Sequence, residues 1–258
     1  MRVHYERTGK GPALLLLHGI GSSSRSFRHQ LAGLSDACDV IAWDAPGYGR
    51  SEDPAVPFTL DELADRALAL LDEVAIDRAH VLGVSMGGVI AQLVYHHQPA
   101  RVRSLILVDT NPGGGALPEP ARSERVRQRV EALDRLGPRG MAEQRAPHLV
   151  RPDAAPELVA ELVDIMAQVR PAGYRAAAVA LGCTDLTSRL GAIRAPTLVV
   201  HGECDRVVPV ATARELAAAI PGARLVVIPH AGHVSNQEQP DAFNAAVCAF
   251  LADCCSGI

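Results

Sequence analysis

Short apolar segments alternate with amphipathic segments along most of the chain. Residues 13–17 form a continuous apolar run, which is typical of a strand buried on both faces. Residues 2–7 are more polar and predict an exposed first strand. Five further strands are predicted at residues 40–43, 79–82, 104–108, 197–200 and 224–228.

Helical patterns separate these strands. Thr59 and Glu62 are spaced as a capping box, and the apolar residues that follow recur at helical spacing. Residues 88–95, 211–219 and 240–252 predict three more helices. Strands that alternate with helices predict an α/β fold, in which a mostly parallel sheet of about seven or eight strands is flanked by helices on both faces.

Residues 111–188 interrupt the alternation, because they contain no convincing strand pattern. Prolines border predicted helices at residues 123–136, 155–168 and 172–181. The segment follows the carboxyl end of a strand, where open α/β sheets bind ligands, so we predict a helical cap (lid) inserted in a core domain of residues 1–110 and 189–258. The alternative is that these helices only cover one face of the sheet.

Two details of this insertion are left open by its sequence. The glycine tract at residues 113–115 could be a hinge of the cap or an ordinary loop. The ten arginines of residues 111–188 would suit an anionic substrate. However, the chain has a single lysine, Lys10, so arginine supplies nearly all its positive charge, and this general bias favours solvated helix faces as the interpretation.

Composition narrows the class of protein. A length of 258 residues with 48% apolar residues suffices for one large domain with a cap, and the net charge of −4 argues against a nucleic-acid partner. No apolar run approaches the roughly 18 residues that cross a membrane, and the polar N-terminus does not resemble a signal peptide, so we expect a cytoplasmic location without a membrane partner. The six cysteines contain no Cys-x-x-Cys pair, and we predict neither a metal site nor a cofactor. The oligomeric state is not indicated.

The segment Gly83-Val84-Ser85-Met86-Gly87 lies between a predicted strand and a predicted helix. A Gly-x-Ser-x-Gly motif in this context is typical of a nucleophile elbow, in which a strained turn exposes the serine at a helix N-terminus. The flanking glycines are expected because a Cβ at either position would collide with the neighbouring strand or helix.

Two further residues follow predicted strands in the order that a serine, acid and base triad requires. Asp205 comes after residues 197–201, and His233 comes after residues 224–228. His233 would take the proton of Ser85, and Asp205 would orient the imidazole. Asp109 is the alternative acid and His230 the alternative base. His18 is expected to organise the loop after its strand, and His96 and His97 to be surface or helix residues.

Five motifs together resemble the α/β-hydrolase superfamily over essentially the whole chain. They are Leu17-His18-Gly19-Ile20-Gly21, the run from Trp43 to Ser51, Gly83 to Gly88, His201-Gly202-Glu203-Cys204-Asp205 and Ala231-Gly232-His233. A shorter match at residues 170–186 is similar to the 3-oxoadipate enol-lactonase and small carboxylesterase group. Most relatives have one strand before residues 2–7, so this sheet is expected to have seven strands rather than eight.

The resemblance implies an enzyme that cleaves a small ester or lactone through an acyl-serine, with 3-oxoadipate enol-lactone as one candidate substrate. The backbone N–H groups of Met86 and Ile20 would form the oxyanion hole. A serine at residue 85 argues against the dehalogenases and epoxide hydrolases of this fold, which use aspartate. The alternatives are a carbon–carbon bond hydrolase of aromatic meta-cleavage products, a perhydrolase similar to haloperoxidases, and a non-catalytic binding protein of the same fold.

Overall fold

A computed structural model describes the backbone of residues 1–256 and shows a single sheet of seven strands. The strands are β1 (Tyr5–Thr8), β2 (Ala13–Leu17), β3 (Asp39–Trp43), β4 (Ala79–Val84), β5 (Val102–Val108), β6 (Thr197–Gly202) and β7 (Arg224–Ile228). Their spatial order is β1-β3-β2-β4-β5-β6-β7. β1 pairs antiparallel with β3, whereas all other neighbours are parallel. The predictions of a mostly parallel α/β sheet and of seven strands are confirmed.

Nine helices surround the sheet in the described part of the chain. They are α1 (Arg28–Gly33), α2 (Leu60–Glu73), α3 (Met86–His97), α4 (Ala121–Arg145), α5 (Pro156–Met166), α6 (Pro171–Cys183), α7 (Val210–Ala219), α8 (Ser235–Glu238) and α9 (Pro240–Ser256). Short 3₁₀ turns lie at Ser24–Phe27, Pro99–Arg101, Ala146–His148 and Thr187–Ala192. The predicted capping box is present at the start of α2, where Thr59 and Glu62 bond to each other's backbone N–H.

Alternation within the buried strands explains why the sheet needs helices on both faces. Leu14 and Leu16 of β2 pack into one hydrophobic cluster, whereas Leu15 and Leu17 pack into the other. Each cluster contains residues from helices on its own side, including Leu63 of α2 on one face and residues of α9 on the other. The parallel order brings the carboxyl ends of β2, β4, β5 and β6 to one edge of the sheet, where the candidate site residues follow.

Some predicted bounds differ from the observed ones. β1 begins at Tyr5 rather than residue 2, because only the register from Tyr5 to Thr8 pairs with β3. The predicted helix at residues 123–136 is part of a longer element, α4, which is interrupted at Gly137, where φ is +67° and Pro138 follows. The short helix α1 was not predicted, since six residues carry too little periodicity.

The segment of residues 111–188 contains helices and turns but no strand. Its two ends are joined by three backbone hydrogen bonds. Leu186 N–H donates to the Pro112 carbonyl at 2.8 Å. Gly114 N–H donates to the Leu181 carbonyl at 3.0 Å, and Gly115 N–H donates to the Thr184 carbonyl at 2.7 Å. The glycine tract is therefore a hydrogen-bonded loop against the end of α6. That the segment acts as a cap stays a prediction.

Within residues 1–256, no helix is both long enough and apolar enough to span a bilayer.

Candidate active site

Ser85 occupies the tight turn between β4 and α3. Its backbone has φ +54° and ψ −116°, which is a strained region for a residue with a side chain. A Cβ at Gly83 would overlap the backbone of Gly87, and a Cβ at Gly87 would overlap the carbonyl oxygen of Leu17 in β2. The predicted steric reason for both glycines is therefore confirmed, and the turn leaves the Ser85 side chain accessible.

The backbone of Ser85 is fixed by the strand beside it. Its N–H donates to the carbonyl of Val108 at 2.9 Å, and its carbonyl accepts from the hydroxyl of Thr110 at 2.6 Å. Both partners lie at the end of β5, so the serine is held by two neighbouring strands rather than by the turn alone. These bonds fix the backbone of the turn that carries the hydroxyl.

His233 links Ser85 to Asp205. The His233 Nε2 lies 3.0 Å from the Ser85 Oγ, and the Nδ1 lies 2.8 Å from the Asp205 Oδ2. A carboxylate only accepts, so Nδ1 donates to Asp205, and Nε2 presents a lone pair to the serine hydroxyl. The structure thus brings together the three residues predicted from the sequence. That they form a catalytic triad stays a prediction.

Asp205 is held by donors on both oxygens. Its Oδ1 accepts from the backbone N–H groups of Val207 at 2.7 Å and Val208 at 3.0 Å, which leaves Oδ2 for His233. Burial alone would raise the pKa of Asp205, but the bonds from His233 and the two amides outweigh it, and the pKa lies below its usual range. Asp205 is therefore ionised at neutral pH, and its Oδ2 faces the Nδ1 of His233.

Asp109, the alternative acid, lies at the end of β5 but makes different contacts. Its Oδ1 accepts from Gly202 N–H at 2.8 Å, and its Oδ2 accepts from the Ser235 N–H at 3.0 Å and hydroxyl at 2.7 Å. No hydrogen bond joins it to His233 in the described part of the chain. Burial raises the pKa of Asp109. The residue ties the loops that carry the candidate acid and base to the sheet.

A possible metal-binding group was not anticipated from sequence motifs. One ligand atom each of Asp109, His201 and Asp205 lie within 4.8 Å of one another, because the ends of β5 and β6 adjoin. However, both carboxylates already accept from N–H donors, and His201 Nε2 donates to the Val208 carbonyl at 3.0 Å. This donor pattern fits a hydrogen-bonded network better than a set of metal ligands.

The remaining histidines have structural surroundings. His18 Nε2 accepts from the Ala45 N–H at 3.0 Å, which joins the loops after β2 and β3 as expected, and burial lowers its pKa. His230, the alternative base, is exposed and bonds through its backbone to Glu203. His97 contacts Asp61 and Asp65 at the surface.

The residues predicted for the oxyanion hole are near Ser85: Met86 follows it in the chain, and Ile20 lines a cavity with it. A Cβ on Gly19 would lie 3.2 Å from the Ser85 Cβ, which places the start of the Gly19–Ile20 loop against the serine. Met86 is the first residue of α3, and the N–H groups in the first turn of a helix have no intrahelical acceptor. Their role as donors to an oxyanion stays a prediction.

Two cavities meet at Ser85 under the helices of residues 111–188. One spans about 540 Å³, the open space at its mouth included, and extends past Met86 towards α4 and α6. The other spans about 620 Å³, measured in the same way, and is lined by Ile20 and His233. Ser85, Arg129 and Val207 line both cavities. Arg129 is one of the ten arginines of residues 111–188 and was not predicted individually as a site residue, and Val207 was not predicted at all. The helical spacing of Arg122, Arg125 and Arg129 was the one available signal.

A strained serine at the end of a parallel strand, paired with a histidine and an aspartate from later strand ends, defines the class. The chain belongs to the alpha/beta hydrolase fold family, which matches residues 12–240, and it is a hydrolase. It is similar to 3-oxoadipate enol-lactonase 2 of Acinetobacter baylyi, with 34% identity over 93% of this chain and 88% of the relative.

Two further relatives differ in their named reactions. A 2-hydroxy-6-oxononadienedioate/2-hydroxy-6-oxononatrienedioate hydrolase of Cupriavidus pinatubonensis is 32% identical over 98% of this chain and 91% of its own length. The structure of a thermophilic esterase from Thermogutta terrifontis superposes with a TM-score of 0.91 at 30% identity, covering 98% of this chain and 93% of the esterase.

Proposed function

We propose that the protein cleaves a small carboxylic ester or lactone through an acyl-serine intermediate. The single observation that carries this proposal is the continuous hydrogen-bonded path from Ser85 through His233 to Asp205, at 3.0 and 2.8 Å, which opens into a covered cavity. The similarity to an enol-lactonase and an esterase supports the same bond class.

In this mechanism the Ser85 Oγ attacks the carbonyl carbon while His233 Nε2 takes the hydroxyl proton. The carbonyl oxygen becomes an oxyanion between the N–H groups of Ile20 and Met86. When the tetrahedral intermediate collapses, the bond to the leaving oxygen breaks and His233 returns the proton to that oxygen. His233 then takes a proton from a water molecule, whose oxygen attacks the acyl carbon of the acyl-serine. As this second intermediate collapses, the bond to the Ser85 Oγ breaks, His233 returns the proton to that oxygen, and the acid is released. The ionised Asp205 stabilises the imidazolium in both halves of the reaction.

The test compares the wild type with Ser85→Ala on p-nitrophenyl acetate and butyrate, an enol-lactone and a ring-cleavage diketone. We expect turnover of an ester or the lactone by the wild type and none by the variant. A serine-reactive fluorophosphonate supplies an independent readout, because it labels an activated Ser85 even without a suitable substrate. An unlabelled, inactive wild type with a native melting transition would contradict the proposal and favour a binding protein of this fold.

A carbon–carbon bond hydrolase is the second candidate, since one of the full-length relatives is named for such a substrate. The same Ser85, His233 and Asp205 geometry would serve a vinylogous diketone. Preferential turnover of the diketone over the esters and lactone, abolished in Ser85→Ala, would replace the first candidate by the second.

A further inference from the structure

The arginines of residues 111–188 fall into two groups with different surroundings. Six pair with a carboxylate: Arg122, Arg127, Arg139, Arg151, Arg170 and Arg175. Four have no carboxylate partner among the described residues: Arg125, Arg129, Arg135 and Arg145. Arg135 is exposed, but the other three line the cavities that contain Ser85, so they are not ordinary solvated residues.

Arg129 is the central member of this group. It projects from α4 to the place where the two cavities meet, together with Ser85 and Val207. Its Nη1 is inaccessible to solvent and has no hydrogen-bond acceptor. A buried guanidinium donor without an acceptor is costly, so an occupant that supplies acceptor oxygens is strongly favoured.

The surroundings of Arg129 are positive. Arg125 lines the first cavity with it, Arg145 lines the second, and all three border a common surface recess. Burial, together with Arg145 and Arg125, lowers the pKa of Arg129 to about 10, so the group remains a cation at neutral pH. Asp109 is the one carboxylate that lines either cavity within the described residues, and its oxygens are occupied by Gly202 and Ser235.

Tyr174 is a neighbour of Arg129 but is not part of the lining of either cavity. Its phenol is buried, its oxygen has no hydrogen-bond partner, and it interacts electrostatically with Arg129. The carboxylate site therefore rests on Arg129 and the two arginines beside it, because a guanidinium donates charge-assisted hydrogen bonds to a carboxylate.

We propose that Arg129, flanked by Arg125 and Arg145, binds a carboxylate of the substrate, so that the enzyme prefers esters or lactones that carry a second, free acid group. The inference rests on the proposed hydrolase function and adds the substrate class. Arg129 lines both cavities with Ser85, so the acid group and the scissile bond would be bound in the same site.

The test uses two aryl esters that differ in one charge: mono-(4-nitrophenyl) adipate and its neutral methyl ester, 4-nitrophenyl methyl adipate. Release of nitrophenolate, corrected for spontaneous hydrolysis, gives kcat/KM for each ester. The variants are Arg129→Met, which removes the charge at similar length, and Arg129→Lys, which keeps it. Arg127→Met is the matched control, because Arg127 lies on the same helix but pairs with Glu124 and Glu131.

We expect the wild type to prefer the acid ester and Arg129→Met to lower the ratio of acid to neutral kcat/KM by about 10- to 100-fold, the usual range for a charge-assisted bond. The loss should lie mainly in KM, Arg129→Lys should keep most of the preference, and Arg127→Met should leave the ratio unchanged. Equal kcat/KM values of the wild type for the two esters, or an unchanged ratio of acid to neutral kcat/KM in Arg129→Met, overturns the inference.

A binding measurement separates this inference from the proposed function. Calorimetry with the Ser85→Ala variant compares adipate with dimethyl adipate, without any need for turnover. Selective binding of the dianion that is lost in the Ser85→Ala, Arg129→Met double variant supports the carboxylate site, even if the wild type hydrolyses neither ester. Turnover by the wild type without such selectivity would support the hydrolase function and refute the site.

Discussion

Exchanging the two buried aspartates for asparagine, one at a time, tests which of them orients His233. Asp205 Oδ2 accepts from His233 Nδ1 at 2.8 Å, while its Oδ1 accepts from two backbone amides. In Asp205→Asn the amide oxygen can keep the backbone donors, which turns the NH₂ group towards Nδ1. Two donors then face each other, unless the imidazole moves its proton to Nε2, where it can no longer accept from Ser85.

The magnitude follows from this change of tautomer. In the serine protease triad the equivalent substitution lowers kcat by about 10⁴, which corresponds to about 5.4 kcal/mol of barrier at 1.36 kcal/mol per tenfold. Asp109→Asn is the matched variant, because the Asp109 side chain is as inaccessible as that of Asp205 but makes no hydrogen bond to His233. It places an NH₂ group against Gly202 or Ser235, so we expect a stability loss of about 1–3 kcal/mol and an activity loss of less than about tenfold.

The assay is kcat/KM for p-nitrophenyl butyrate, accompanied by fluorophosphonate labelling and denaturant unfolding. Asp205→Asn should fold, label slowly and hydrolyse the ester about four orders of magnitude more slowly than the wild type. Near-normal activity of Asp205→Asn with an inactive, folded Asp109→Asn would show that Asp109 is the acid and that the reasoning is wrong.

Three other predictions concern stability. Gly83→Ala should lower the free energy of unfolding by on the order of 3 kcal/mol, because the added Cβ overlaps the backbone of Gly87. Gly191→Ala is the control and should change the free energy of unfolding little, because its Cβ meets no atom within 4 Å. Equal urea midpoints for the two variants would contradict this prediction. Arg170→Met removes the bonds from the start of α6 to the loop after β3 and should cost about 1–2 kcal/mol in the same urea assay, and an unchanged midpoint would count against it. The pKa of Asp205 is lowered in the folded protein, so the ionised side chain stabilises the fold above the unfolded pKa of about 4, and this contribution is lost as the pH falls through the folded pKa. The difference in unfolding free energy between wild type and Asp205→Asn should therefore shrink below about pH 4. A difference that grows in acid would refute the predicted sign.

The buried strands and the turn at Ser85 were predictable from the sequence, because each of them leaves a local signal in the order of its residues. Continuous apolar runs predicted β2 and β4, and the glycines around Ser85 predicted a turn whose steric reason the structure confirms. The order of strand ends was enough to bring Asp205 and His233 together, since the carboxyl ends of parallel strands share one edge.

Features that depend on three-dimensional proximity were not predictable. The predicted helix of residues 123–136 ends at the break of α4 at Gly137, but the second helical part that continues to Arg145 was not predicted. The group of Asp109, His201 and Asp205 arises from neighbouring strands and leaves no spacing motif. The position of Arg129 depends on which face of a polar helix turns inward, and a helix with charges on most sides gives no clear apolar stripe.

Because the two ends of residues 111–188 are hydrogen-bonded to each other, the helices between them could be replaced by other helices without disturbing the sheet. Pro112 and Leu186 are joined by a hydrogen bond, so the two points where the insertion leaves and rejoins the core stay close together, whatever the length of the chain between them. The entropy of closing a loop grows only slowly with its length, so helices between these anchors can be lengthened, shortened or exchanged at little cost to the core. The helices over the cavities can therefore diverge by insertion or exchange, while Ser85, Asp205 and His233 on the strand ends stay in place.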